Sequence, residues 1–121
     1  MPKDLLNKLN NLDYSDANLE IVKEFLKTGE TPSELTYQEK YRFRKYWKDF
    51  ILKDNKIIFR PLNLQAVPTS KVDNILQAFY NDPTNGLNAG LRSFYDRITY
   101  QYVGITQSMV KDFQNRRHTN W

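Results

Sequence analysis

Apolar residues recur at helical spacing along most of the chain and alternate strictly only once. Leu5, Leu6, Leu9 and Leu12, set among Asn and Lys, predict a short amphipathic helix. Ser15 offers an N-cap hydroxyl to a second helix over residues 16–27, striped by Leu19, Val22, Phe25 and Leu26 and ended by Thr28-Gly29. Residues 31–34 (TPSE) read as a capping box with Pro at the first helical position. Residues 36–39 (TYQE) repeat the signal ahead of a longer helix reaching about Phe50, with Phe43, Tyr46, Trp47, Phe50 and Ile51 as its inner stripe. The period then drops from 3.6 to 2. Residues 50–53 and 56–60 read as a β-hairpin around Asp54-Asn55, Pro61 stops it, and residues 62–67 add a third short extended piece. Ser70 caps a helix with Val72, Ile75, Leu76 and Phe79 on one face, and residues 80–86 form a loop dense in turn formers.

Residues 90–117, GLRSFYDRITYQYVGITQSMVKDFQNRR, organise the rest. Leu91, Phe94, Tyr95, Ile98 and Tyr102 trace one apolar helical face, and the chain breaks at Val103-Gly104, where Gly accepts the positive φ that ends a helix. Thr106 then caps a last helix with Ile105, Met109, Val110 and Phe113 inward and Gln107, Ser108, Lys111, Gln114 and Asn115 outward. Arg116, Arg117 and His118 suit its C-terminus. Helix, tight Gly turn, helix with a polar outer face is the shape of a helix-turn-helix. The fold expected is mainly α. A three-helix, helix-turn-helix-like domain occupies residues 69–121, and an N-terminal helical extension plus a small β-hairpin occupies residues 1–68. Trp47, Ile75, Phe79, Phe94, Ile98, Met109 and Phe113 are the expected core.

Composition narrows the chemistry. The chain has 121 residues, no Cys and one His, so neither a disulfide framework nor a tetrahedral zinc site of N and S ligands is available. No apolar run approaches the roughly 18 residues of a membrane span, and the N-terminus lacks a signal-peptide core, so an intracellular protein with no membrane partner is expected. Paired carboxylates, a phosphate-binding Gly loop and an activated Ser or Cys are all missing, which predicts no catalytic residue, no metal, no cofactor and no enzymatic activity. Charge is uneven. Residues 40–60 carry eight basic side chains against Asp49 and Asp54, a local excess of six in a chain whose net charge is +4. That clustering favours a polyanionic partner.

Two segments resemble the N-terminal region of integrases from long-terminal-repeat retrotransposons, retroviruses and related viral elements. LQAFYNDPTNG followed by GLRSFYDRITYQYVGITQSMVKDF is similar to that family's His-His-Cys-Cys zinc domain. KYRFRKYWKDFILKDNKIIFRPLNLQAVP is similar to the basic helix and hairpin that precede it, and together the likeness spans roughly residues 30–117. The ligands depart from the pattern. Tyr80 stands where the first His belongs, Leu87 or Asn88 at the second, and the Cys positions fall near Arg117 and Asn120. The resemblance therefore implies a domain without zinc, in which Tyr80, Leu87 and neighbouring aromatics replace the metal by packing. The family's Asp-Asp-Glu catalytic core has no counterpart in these residues. VKDFQNRR is also similar to the homeodomain recognition signature VKIWFQNRR, but it is one residue short, which turns a helix by about 100°.

The function expected is DNA binding in the nucleus. Gln107, Ser108, Lys111 and Asn115 face base edges or phosphates of a duplex, Arg116 and Arg117 contact its backbone, and Arg42, Arg44, Lys45 and Lys48 add phosphate contacts. The alternatives are an assembly or adaptor domain, using exposed tyrosines such as Tyr37, Tyr41 or Tyr100 to meet a second copy or integrase-type subunits, and a divergent homeodomain-like binder.

Overall fold

Asp54 and Asn55, at φ 52° and 63°, form the two-residue turn from which the sheet is built. Both angles are left-handed, the geometry that matches the twist of paired strands, and Asp and Asn tolerate it. A computed structural model describes residues 3–82 and 91–118, except for the side chains of Leu91, Arg92, Arg117 and His118. Strand β1 (Phe50–Lys53) pairs antiparallel with β2 (Lys56–Phe59), Phe50 opposite Phe59 and Lys53 opposite Lys56. A 3-10 turn through Pro61 reverses the chain into β3 (Leu64–Ala66), antiparallel to β2. A fourth strand, β4 (Tyr102–Val103), lies parallel to β3 and completes the order β1-β2-β3-β4.

Helices α1 (Lys3–Asn10), α2 (Asp16–Thr28) and α3 (Tyr37–Trp47) precede the sheet. Helices α4 (Val72–Asn81), α5 (Leu91–Thr99) and α6 (Gln107–His118) surround β4 in sequence. One sheet face buries Phe50, Ile57, Phe59, Leu64, Ala66 and Val103 with Leu9, Tyr14, Leu19, Val22 and Trp47 from the N-terminal half. A second cluster, Val72, Leu76, Phe79, Phe94, Ile98, Ile105, Val110 and Phe113, joins α4, α5 and α6.

The expectation of a mainly α protein with a small hairpin is overturned. Among the described residues six helices accompany a four-stranded mixed sheet, so the architecture is mixed α and β. The difference lies at residues 100–104, where the apolar face through Tyr102 predicts continued helix and Val103-Gly104 a tight turn. Helix α5 stops at Thr99, whose hydroxyl donates to the Asp96 carbonyl at 2.7 Å. The extended residues beyond it pair with β3, where Gln65 N–H donates to the Gln101 carbonyl at 2.9 Å and Val67 N–H to that of Val103 at 3.0 Å. The α5–α6 connection is a strand, not a turn.

Smaller differences have equally local causes. Helix α3 ends at Trp47 because Phe50 is recruited into the hairpin, and alternation then turns Ile51 (39% exposed) away from Phe50. Residues 31–34 make only a turn, since too few residues separate them from the cap at Thr36 to nucleate a helix. Ser70 does not cap α4. Its hydroxyl and N–H instead donate to the Asp16 carboxylate at 2.5 and 3.2 Å. The expected caps at Ser15, Thr36 and Thr106 do accept from Asn18, Glu39 and Met109 N–H.

Candidate nucleic-acid interface

Helix α3 owes its start to the capping box. Thr36 Oγ1 accepts from Glu39 N–H at 3.2 Å, and Glu39 Oε1 accepts from Thr36 N–H at 3.1 Å. Glu39 is the sole acid in α3, and the cap turns it toward the N-terminus, its carboxyl held below the usual range by the Thr36 contacts. One stripe anchors the helix. Phe43 meets Phe25 edge-on with centroids 5.2 Å apart, and buried Trp47 packs on Tyr14 and Phe50. The rest of α3 is exposed apart from half-buried Lys40. Arg42, Arg44, Lys45 and Lys48 are exposed, and none of them lies in an ion pair among the described residues.

Helix α6 presents the other candidate surface. Val110 and Phe113 are buried and Met109 is half-buried, while Gln107, Ser108, Lys111 and Asn115 are exposed and Gln114 is half-exposed. Arg116 is exposed but engaged. Its guanidinium donates to both Asp73 oxygens at 3.2 and 2.9 Å, and its Nε donates to the Asp112 carbonyl at 3.4 Å. Hydrogen bonding and charge from Arg116 hold the Asp73 carboxyl below its ordinary range. A phosphate contact by Arg116 therefore has to displace a bidentate carboxylate. The Arg117 side chain, expected beside it, lies outside the described residues.

The two surfaces belong to separate clusters, and α1 stands between them. Lys8 of α1 lines a groove with Lys45 and Tyr46 of α3 and with Lys48 and Asp49 just beyond its end, floored by Leu5, Leu9, Leu12 and Phe59. Lys3 and Leu6 of α1 line another with Tyr95, Asp96, Tyr100 and Gln107, at the start of α6. Lys3 and Lys8 thus extend the basic surface, and sequence reading missed them. Their signal was available: both flank the leucine stripe of α1 and so lie off its buried face.

Asn10 fixes α1 in this position. Its Oδ1 accepts from Gly104 N–H at 3.0 Å, and its Nδ2 donates to Tyr95 Oη at 3.2 Å and the Ile105 carbonyl at 3.4 Å. The chain therefore enters α6 from a corner clamped by the first helix. Gly104, at φ 97°, is required at that corner, since a Cβ there would lie 2.9 Å from Tyr14 Cγ. Tyr80, at the position where the resembled family has its first His, meets Phe94 and Phe113 edge-on at 6.5 and 6.0 Å, while Leu87 lies outside the described residues. Among the described residues no group of three or more His, Asp or Glu side chains could hold a metal ion, and no helix is long and apolar enough to cross a membrane. No protein-family model, curated protein or solved structure matches the chain.

Proposed function

We propose that this chain is a nucleic-acid-binding module whose contacts are mainly with phosphates. The observation that carries the reading is the exposed basic surface of α3. Arg42, Arg44 and Lys45 share one helix with Lys48 at its C-cap, its sole acid is drawn into the N-terminal cap, and Lys8 of α1 lies alongside in a groove that also holds Asp49. Such a surface favours a polyanion, because phosphate contacts release condensed counterions. The outer face of α6, with Gln107, Ser108, Lys111 and Asn115, supplies donors and acceptors for base edges. The resemblance of residues 30–117 to integrase N-terminal regions supports the same reading, along with a nuclear site of action. An assembly domain is the second reading, favoured by the exposure of Tyr37, Tyr41 and Tyr100.

Fluorescence anisotropy on labelled duplex DNA tests the first. Four phosphate contacts predict roughly a hundredfold loss of affinity between about 50 and 200 mM salt. Replacing Arg42, Arg44, Lys45 and Lys48 by Gln should flatten that slope, whereas Lys111→Ala should weaken binding about equally across sequences if it contacts phosphate alone. Absence of binding in the micromolar range at low salt, with a concentration-dependent dimer in light scattering, would favour the assembly reading instead.

A further inference from the structure

The solvent face of α3 carries more than charge. Tyr37, Tyr41 and Tyr46 are 86, 62 and 43% exposed, and they line one open groove with Gln38, Arg42 and Lys45. Tyr37 and Tyr41 are one turn apart, as are Arg42 and Tyr46, so rings and cations interleave along two adjacent ridges. No packing demand explains rings this exposed, since the helix is already anchored by Phe43 and Trp47. Among the described residues no acid lines the groove.

We propose that this face is a stacking platform for single-stranded nucleic acid, the tyrosine rings taking unpaired bases while Arg42 and Lys45 hold the intervening phosphates. The inference rests on the nucleic-acid reading above and narrows it to one class of ligand at α3. Spacing decides between strand states. Residues four apart rise about 6 Å along a helix, wider than the ~3.4 Å between stacked bases in a duplex strand. Bases that meet Tyr37 and Tyr41 must therefore have come apart from one another, which a flexible single strand permits. A duplex also hides its base faces, leaving only phosphates and edges for this groove. Stacking on aromatic rings tolerates any base, so the platform predicts weak sequence preference.

The test uses the full chain and three labelled probes matched in length: oligothymidine of ~12 nucleotides, within the site size of single-strand binders, an abasic strand with the same phosphates, and a duplex. Oligothymidine should bind at least several-fold tighter than the abasic strand and quench tyrosine fluorescence. The double variant Tyr37→Leu/Tyr41→Leu should lose about tenfold or more on oligothymidine, with abasic and duplex affinities and the melting temperature unchanged. Arg42→Gln/Lys45→Gln should weaken all three. Equal affinity for oligothymidine and the abasic strand, or an unaffected tyrosine variant, overturns stacking while leaving phosphate binding intact. Failure of every probe overturns both readings. Binding of an acidic peptide as tight as oligothymidine, and lost in the tyrosine variant, would reassign the face to a protein ligand.

Discussion

Asn10 shows how much one side chain can carry. It satisfies the Gly104 N–H and reaches both Tyr95 and the Ile105 carbonyl, in contacts that span 85 to 95 residues of sequence. Asn10→Ala leaves a part-buried amide without its acceptor and should cost about 1–3 kcal/mol, read from the urea midpoint. Two aspartates, along with Glu39, contribute to the acid limb of stability. Asp73 and Asp16 have carboxyl pKa values lowered by Arg116 and Ser70, so the unfolded state binds more protons near pH 4. Their contribution is complete above the unfolded value of about 3.9 and is lost as pH falls through the lower folded values. Melting temperature should drop over that range, and Asp73→Asn should shrink the drop. Local chemistry was readable at this scale and distant chemistry was not. The Thr36–Glu39 box lies within four residues, whereas the partner of Ser70 is 54 residues away, so a hydroxyl that looked like a helix cap proved to be a tertiary contact.

Among the elements, the hairpin and the helices with clear stripes were legible because their periodicity is internal to each segment. Strand β4 was not. Two residues have no period, and Tyr102 continues the apolar face of α5 so well that it reads as the next helical turn. Only the edge of β3, supplied from residues 64–66, turns this stretch into a strand. The corner that follows is correspondingly intolerant. Gly104→Ala combines a left-handed φ with a contact on the Tyr14 ring and the Val67 carbonyl, and should cost more than about 1 kcal/mol. Helix α6 depends on Phe113, 5% exposed, while Phe94 at 1% is the centre of its cluster. Truncating either to Ala should cost about 3–5 kcal/mol by chemical denaturation. A much smaller loss would be inconsistent with rings buried in this cluster.

Across the whole molecule, the basic surface of α3 was visible as a run of residues, but its continuation onto Lys8 and Lys3 was not. That continuation depends on where α1 docks, and the docking is set by Leu9 and Asn10 rather than by any charge pattern. Residues 69–121 produced alone should lack the cooperative melt of the full chain, because β4 then has no β3 and Gly104 no Asn10. Circular dichroism during heating distinguishes a sharp from a sloping transition.

The parallel pairing of β3 with β4 has a further consequence, for the time course of folding. The hairpin closes across two residues and can form as soon as it emerges from the ribosome, within microseconds. Ala66 must wait for Val103, so β3 gains this partner only after the chain has been synthesised through Val103. Until then the β3 edge presents unsatisfied amides, and loop-closure entropy opposes its completion. Completion of the sheet therefore trails closure of the hairpin, and a nascent chain stalled before Val103 should remain protease-sensitive at β3 while its hairpin is already protected.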